Sequence, residues 1–229
     1  MDYGDLTVII PTLNEERNIK ELIKIIRNSY KGIKVVVADD GSTDNTAAIV
    51  KKFGMSDKNI KLLDRGREKT HGLTASVIDA VKNTKTGLLI VIDGDLQHPP
   101  EKIAEITAKL RDGNDLVIGT REKVEGEWPL QRRLMSVIAT NIARLRLMKA
   151  VKDPMSGFFG VRSELFKKAL AAKEKRFEKR GYKVMFDLLK CAPMARTANV
   201  YYTFGKRSGG ESKIGVKQVI CFLKSVAKP

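Results

Sequence analysis

The sequence predicts an α/β protein with a Rossmann-like, mostly parallel central sheet flanked by helices. Up to residue 120, short segments rich in Val, Ile and Leu alternate with segments whose apolar residues recur at helical spacing. Strands covered on both faces are apolar at successive positions, and strands separated by helices form parallel βαβ units. The strand candidates are Thr7–Ile10, Lys34–Ala38, Lys61–Leu63, Leu88–Ile92, Asp115–Ile118 and, further on, Val200–Thr203.

Four helices are predicted between the first five strands. The apolar face of the first is formed by Ile19, Leu22, Ile23 and Ile26, at positions i, i+3, i+4 and i+7. The second follows Asp44 and should end before Gly54, because glycine commonly terminates helices. The third carries the apolar residues of 73–81. The fourth begins after Pro100, since proline is favoured in a first helical turn.

Beyond residue 120 the pattern changes, but no second domain is indicated. A long helix is predicted around residues 134–145, followed by a loop at 153–157 and a helix from Glu164 to about Ala172. A glycine- and serine-rich basic loop covers 205–213. A final amphipathic helix presents Val216, Val219, Ile220 and Leu223 on one face, with Phe222 at its boundary and Lys213, Lys217 and Lys224 elsewhere.

Composition limits the possible partners and compartment. The chain has 229 residues and is 42% hydrophobic, which is enough to bury a core. Cys191 and Cys221 lie far apart, which argues against a disulfide framework or a zinc site and suits a reducing compartment. We expect no signal peptide, because the N-terminus has neither a basic leader region nor the apolar region that follows one, and no membrane-spanning segment, because no apolar run approaches about 18 residues.

The formal net charge of +16 indicates an anionic partner. Nucleic acid, anionic lipid headgroups and phosphorylated substrates would each fit, and charge alone does not choose among them. An aromatic content of 6% and the absence of RNA-binding or helix-turn-helix signatures argue against nucleic acid.

Two carboxylates follow a predicted buried strand in Asp93-Gly94-Asp95. Carboxylates this close repel each other, and a divalent cation removes that repulsion. Hard oxygen ligands suit Mg²⁺ or Mn²⁺, and Gly94 lets a ligand approach the backbone. The alternative is a capping turn before the next helix. His98 also follows this motif, but its position beside two prolines favours a structural hydrogen bond over metal ligation.

Polar residues also follow the first two strands. Asp39 and Asp40 end the second strand, where an acidic residue commonly accepts hydrogen bonds from a ribose or a base. A capping turn is compatible with this, since Ser42 or Asp44 can cap while Asp39 or Asp40 binds a ligand. Glu15, after the first strand, could reach the same ligand. No GxGxxG, GxxxxGK[ST] or GxSxG motif occurs, which disfavours a dinucleotide oxidoreductase, a P-loop and an α/β-hydrolase.

Several motifs together resemble the family 2, GT-A-fold inverting glycosyltransferases, and within them the polyprenyl-phosphate hexose synthases of the dolichol-phosphate mannose synthase group. The resemblance covers nearly the whole chain. The residues that carry it are Pro11-Thr12-Leu13-Asn14-Glu15, Asp39-Asp40-Gly41-Ser42, 93–101, Trp128-Pro129-Leu130 with Arg132 and Ser136, 153–159, Gly181-Tyr182-Lys183 and 204–213.

The resemblance implies a metal-dependent enzyme that transfers a hexose to a polyprenyl phosphate. The transfer that it favours is that of mannose from GDP-mannose. The resemblance assigns metal binding to Asp93, Asp95 and Gln97. It assigns binding of the donor to Pro11, Asn14, Glu15, Asp39, Asp40, Asp93 and Gly94. It places Arg121, Arg132, Ser136 and Arg207 at the acceptor phosphate, with Asp95, Arg121 and Arg132 as the catalytic set. Arg132 and Ser136 are i, i+4 on one helix, so both can face one anion.

Two departures from the family's pattern keep alternatives open. Asp187 stands where the family more often has Glu, and Ser208-Gly209-Gly210 contains an extra glycine near Arg207. A phosphate acceptor is largely ionised at neutral pH and needs no general base, whereas a sugar hydroxyl would need one, for which Asp187 is the suspect. The alternatives are a UDP-glucose-dependent enzyme, transfer to a saccharide hydroxyl, and a non-catalytic nucleotide or nucleic-acid binder.

The expected organisation is one catalytic domain over 1–229. Residues 1–120 form its nucleotide-sugar half, 121–213 its acceptor half, and 214–229 a helix at an anionic membrane surface. The location expected for such an enzyme is peripheral, at the cytoplasmic face of a membrane. Related enzymes often carry membrane helices after the catalytic domain, and the sequence does not say whether the natural chain continues.

Overall fold

The protein is described by a computed structural model that covers residues 1–126, 130–148, 151–206 and 215–228, without the side chains of 130–133 and 216. Over these ranges the chain forms one seven-stranded sheet with helices on both faces. The strands are β1 (Leu6–Thr12), β2 (Lys34–Asp39), β3 (Ile60–Asp64), β4 (Leu88–Val91), β5 (Leu116–Val124), β6 (Phe159–Arg162) and β7 (Thr197–Phe204). The helices are α1 (Ile19–Ser29), α2 (Thr46–Ser56), α3 (Leu73–Lys82), α4 (Ile103–Arg111), α5 (Leu130–Leu147), α6 (Ser163–Lys173), α7 (Val184–Cys191) and α8 (Val216–Ala227).

The strand order is β3-β2-β1-β4-β6-β5-β7. Strand β6 runs antiparallel to β4 and β5, and the other neighbouring pairs are parallel. The predicted α/β class with a mostly parallel sheet is therefore confirmed. The chain passes from β1 to β2 and β3 on one side and returns to β4 on the other, so a crevice opens beyond the carboxyl ends of β1 and β4.

Two apolar layers sandwich the sheet because successive strand residues point to opposite faces. In β1, Val8 and Ile10 pack with the fully buried predicted face of α1 and with α4, whereas Ile9 packs with α3, α6 and α7. A third cluster joins α5, α7 and α8 through Ala143, Phe186 and Phe222. Helices α5 and α8 therefore pack on α7, which itself packs on the sheet.

Three predictions of local structure were wrong. Helix α2 continues through Gly54, where an added Cβ would lie 3.1 Å from the Ile60 carbonyl oxygen, so this glycine allows close packing on β3. Strand β5 runs on to Val124, beyond the predicted end at Ile118, because it pairs with β7. Strand β6 and helix α7 were not predicted, because both are short and mostly buried, so that neither shows a clear alternation of apolar and polar residues.

Helix α8 packs on the domain through residues that adjoin its predicted apolar face. Phe222 and Cys221 are buried, with the Phe222 ring centroid 5.9 Å from that of Phe186. From the predicted apolar face, Ile220 and Leu223 are 47% and 52% exposed. The packing face is thus formed by Cys221, Phe222 and Ser225, and Ile220 and Leu223 form an exposed apolar stripe beside it. In the described ranges, no helix has both the length and the apolar character that crossing a membrane requires.

Candidate active site

The carboxyl ends of three neighbouring strands bound a cavity of about 820 Å³. Thr12 and Asp39 pair across β1 and β2, and β4 leads through Ile92 to Asp93. The predicted site residues that line this cavity are Pro11, Glu15, Asp40, Asp93, Gly94, Asp95, Gln97 and Arg121. Strand order alone brings the first seven together, since parallel strands end at one edge of the sheet.

The Asp93-Gly94-Asp95 turn presents two carboxylates and an amide to the cavity. Asp95 is 6% exposed, and its Oδ1 accepts a hydrogen bond from the Gln97 backbone N–H at 3.2 Å. The Gln97 side-chain amide donates to the Gly205 carbonyl at 3.0 Å, so its oxygen is the atom that would ligate a metal. No cluster of three or more His, Cys, Asp or Glu side chains suited to a metal occurs in the described ranges.

His98 is a buried structural residue. Its ring stacks on Phe158 at 5.4 Å and contacts Tyr202 and Phe204 edge-on. Burial lowers the His98 pKa to about 4, so the imidazole is neutral at pH 7 and its Nδ1 accepts the Asp93 backbone N–H at 3.4 Å. The ring therefore supports the backbone of the carboxylate turn.

Asn14 and Asp39, both predicted donor ligands, are not among the described residues that line the cavity. Asp39 is 2% exposed, and its carboxylate accepts hydrogen bonds from Thr12 Oγ1 at 3.0 Å and from the Ser42 N–H at 2.9 Å. Asn14 has a φ of 54°, and its Oδ1 accepts the Thr43 N–H at 2.8 Å. Both residues hold the loops after β1 and β2 together.

Asp40 lines the cavity and is held by groups that sequence reasoning missed. Its carboxylate accepts a hydrogen bond from the Gly72 N–H at 2.7 Å and forms an ion pair with Arg65. His71 Nδ1 lies 3.2 Å from Asp40 Oδ1. Arg65 is 2% exposed and also donates to Asp79 at 2.8 Å. Since Arg65 directly follows β3, the strand-end rule that identified Asp40 could also have identified Arg65.

Arg121 lies across the cavity from these strand ends and is fixed by an ion pair. Its Nε and Nη2 donate to the two oxygens of Asp153 at 2.8 and 3.1 Å, a bidentate contact. Burial alone would raise the Asp153 pKa, but the hydrogen bonds and charge of Arg121 outweigh it and hold that pKa below its usual value. The guanidinium carbon also lies 5.9 Å from the centroid of the Phe204 ring.

The segment 153–157 connects the two walls of the cavity. Gly157 lies against the carboxylate turn, and a Cβ on it would be 2.8 Å from Asp93 Oδ2. The Met155 carbonyl accepts a hydrogen bond at 2.6 Å from Lys183, which also lines the cavity. One short segment thus contacts the predicted metal ligand Asp93 as well as Arg121 and Lys183.

Asp187 belongs to a buried network outside the cavity. It is 1% exposed, and its oxygens accept hydrogen bonds from Ser225 Oγ and from the Glu178 N–H at 2.9 Å. Lys190 Nζ lies 3.1 Å from Asp187 Oδ1. Burial raises the Asp187 pKa despite these partners. The carboxylate therefore joins α7, α8 and the segment before α7, and it is not among the described residues that line the cavity.

Three predicted acceptor residues are not placed at the cavity. Arg207 and the Arg132 side chain lie outside the described part of the chain. Ser136 is half-buried on α5 and is not among the described residues that line the cavity.

Comparisons with known proteins agree with this architecture. The chain is 35% identical to dolichol-phosphate mannosyltransferase of Pyrococcus furiosus, over 96% of this chain and 62% of that protein. It is 29% identical to dolichol-phosphate mannosyltransferase of Saccharomyces cerevisiae, over 97% of this chain and 85% of that protein. It thus spans less than two thirds of the length of the Pyrococcus relative.

Solved structures share the fold at lower identity. Glucosyl-3-phosphoglycerate synthase from Mycobacterium tuberculosis, in complex with Mn²⁺, uridine diphosphate and phosphoglyceric acid, superposes with a TM-score of 0.68 at 21% identity. The match covers 98% of this chain and 79% of that one. The model of glycosyl transferase family 2 matches residues 7–170, and the chain therefore belongs to glycosyl transferase family 2.

Proposed function

We propose that the protein is an inverting glycosyltransferase, a single catalytic domain that moves mannose from GDP-mannose to a polyprenyl phosphate. The observation that carries the proposal is the cavity itself. A carboxylate pair follows β4 on one wall, and Arg121, fixed by the buried Asp153, faces it from the other. The relatives named dolichol-phosphate mannosyltransferase support the choice of sugar and acceptor.

A divalent cation fits the carboxylate turn. Mg²⁺ commonly binds one or two carboxylates and completes its coordination with substrate phosphates and water, so a site with two carboxylates and one amide is sufficient. We assign Asp93, Asp95 and Gln97 as the protein ligands of Mg²⁺ or Mn²⁺. A bound cation would neutralise the departing nucleoside diphosphate.

Charge and position account for the rest of the mechanism. Pro11, Glu15 and Asp40 form the wall that would hold the nucleoside, and the Gly94 backbone permits close approach of the diphosphate. Arg121 binds the acceptor phosphate bidentately and aims one oxygen at the anomeric carbon from the side opposite the leaving group. The configuration inverts, and the ionised phosphate requires no base, which agrees with the burial of Asp187 away from the cavity.

Exposed apolar side chains support a site at a membrane surface. Helix α5 exposes Leu134, Met135, Val137 and Ile138 at 49–60%, and α8 exposes the stripe of Ile220 and Leu223. Apolar faces on helices beside basic side chains are typical of interfacial binding. With a net charge of +16, we propose that the protein binds anionic headgroups at the cytoplasmic face.

A donor screen tests the reaction. Purified protein with Mn²⁺ or Mg²⁺ is given GDP-mannose, UDP-glucose or UDP-N-acetylglucosamine, with a polyprenyl phosphate or the matching polyprenol. We expect transfer from GDP-mannose to the phosphate alone. Transfer from UDP-glucose would show that the donor is UDP-glucose and not GDP-mannose. Transfer to polyprenol or a saccharide would contradict the proposed acceptor.

Vesicle co-sedimentation tests the surface. The double variant Ile220→Ser/Leu223→Ser should bind anionic vesicles more weakly than wild type at equal melting temperature. Met55→Ser is the control, since Met55 is 89% exposed on the distant helix α2. Equal weakening by the control, or binding to neutral vesicles without any salt dependence, would contradict an electrostatic membrane surface.

A further inference from the structure

Lys183 occupies a position in the cavity to which no role has yet been given. It ends the segment 178–183 that precedes α7, and its side chain lies in the cavity wall. Its Nζ donates to the Met155 carbonyl at 2.6 Å and lies 4.6 Å from the centroid of the Tyr182 ring. A lysine ammonium has three N–H donors, and among the described residues this carbonyl is its hydrogen-bond acceptor.

Charges of both signs surround this ammonium. Arg121 faces it from β5, Asp153 from the segment before β6, and Asp93 from the end of β4. Burial, then the charge of Arg121, lowers the Lys183 pKa to about 8, against the opposing effect of the two carboxylates. Both oxygens of Asp153 accept hydrogen bonds from Arg121, whereas the hydrogen bond of Lys183 goes to a backbone carbonyl.

An anion in this part of the cavity would relieve the repulsion between the two cations. The segment 153–157 binds both cations, because the Asp153 carboxylate pairs with Arg121 and the Met155 carbonyl accepts a hydrogen bond from Lys183. Two cations held at a fixed separation can contact two oxygens of one phosphate monoester.

We propose that Lys183 is a substrate-contacting residue that binds the phosphate of the acceptor together with Arg121. Its ammonium keeps the bond to the Met155 carbonyl and directs a second N–H to a phosphate oxygen. This inference rests on the proposed function for the identity of the acceptor. It differs from a structural role, in which Lys183 would only brace the segment 153–157.

The test compares Lys183→Met, which removes the charge and keeps the length, with Lys183→Arg, which keeps the charge. The matched control is Lys179→Met, on the same segment, whose Nζ pairs with Glu174 at 2.7 Å on the surface. For each protein, affinities for a short-chain polyprenyl phosphate and for the matching polyprenol are measured by calorimetry. The affinity for GDP-mannose and the melting temperature are measured alongside.

Lys183→Met should reduce the preference for the phosphate over the alcohol by about ten- to a hundredfold, the size of a lost charge-assisted hydrogen bond. Lys183→Arg should keep most of that preference, and Lys179→Met all of it, with donor affinity unchanged throughout. An unchanged preference in Lys183→Met, with or without a lower melting temperature, would indicate a brace and overturn the inference. An equal loss of donor affinity would place Lys183 at the donor diphosphate and also overturn it.

Failure of the proposed function gives a different result. Wild-type protein that binds the polyprenyl phosphate in preference to the alcohol but transfers no sugar would refute the reaction, and the Lys183 contact would still be decided by the binding ratios.

Discussion

The two walls of the cavity are built in different ways. The wall that is proposed to bind the donor, here the donor wall, consists of residues that follow β1, β2 and β4, and hydrogen bonds join the ends of these strands, as between Thr12 and Asp39. The wall that is proposed to bind the acceptor, here the acceptor wall, gathers Arg121, the segment 153–157 and Lys183 from separate parts of the chain. Its geometry depends on buried polar contacts and on helix packing. A change in the first wall should therefore affect chemistry, whereas a change behind the second should also affect stability.

The largest expected effect is on stability, at Asp187 behind the acceptor wall. Asp187→Ala leaves Lys190 buried without its carboxylate and should lower the free energy of unfolding by about 3–5 kcal/mol. Urea denaturation measures this, with Asp187→Asn as the milder control that retains an acceptor for the Glu178 N–H. If Asp187→Ala unfolds like wild type but loses activity with a changed pH profile, Asp187 is a catalytic base and the division between the walls fails.

On the donor wall, Asp95→Asn should act on turnover and not on stability. The variant keeps its shape but loses a charged ligand for the metal, and we expect kcat to fall by about a hundredfold or more. Steady-state kinetics measure this beside Asp112→Asn, an exposed control after α4. Full activity of Asp95→Asn, or wild-type activity that persists in EDTA, would refute metal dependence.

Asp153→Asn sharpens the comparison within the acceptor wall. Arg121 would lose one of two charge-assisted hydrogen bonds, so the acceptor KM should rise about tenfold or more while the donor Kd stays constant. The control is Asp57→Asn, which weakens a similar pair with Arg27 far from the cavity. A rise in donor Kd equal to that in acceptor KM would show that the two walls do not act separately.

The smallest effect is expected at Glu174, an ion pair near the acceptor wall but at the surface. Hydrogen bonds from Lys179 and Lys82 lower the Glu174 pKa from 4.5 to about 2. Because the folded pKa is the lower one, the stability it contributes is present above pH 4.5 and is lost as the pH falls towards 2. Glu174→Gln should cost less than about 1 kcal/mol at pH 7 and only a small part of that at pH 2, where the folded carboxyl is half protonated. A larger loss, measured by urea unfolding at both pH values, would show that surface pairs also hold this wall.

The difference between the two walls explains which site residues could be predicted from the sequence alone. Asp40, Asp93 and Asp95 were identified because a residue's place after a parallel strand fixes its place at the sheet edge. The buried state of Asp39 was not foreseeable, since either of two adjacent aspartates could turn inward. The role of Asp187 depended on Ser225, which lies on α8 and reaches it only through packing.

The direction of α8 shows the same limit. Its sequence has apolar residues on two adjoining faces, and periodicity does not say which one packs. Phe222 was assigned to the boundary but is buried against Phe186, whereas Ile220 and Leu223, which were expected to face a membrane surface, are about half exposed. Packing against α5 and α7 determines which face of α8 is buried.

The close approach of Gly157 to Asp93 has a practical consequence for capturing the reaction in a stable form. Alanine at this position needs no unusual backbone angle, yet its methyl group would lie 2.8 Å from Asp93 Oδ2 and force that carboxylate to move. Gly157→Ala would keep every charge of the cavity while displacing one metal ligand. Under the proposed function, such a variant is expected to bind sugar nucleotide and lipid phosphate but to turn them over slowly, which would suit it to crystallography of the ternary complex.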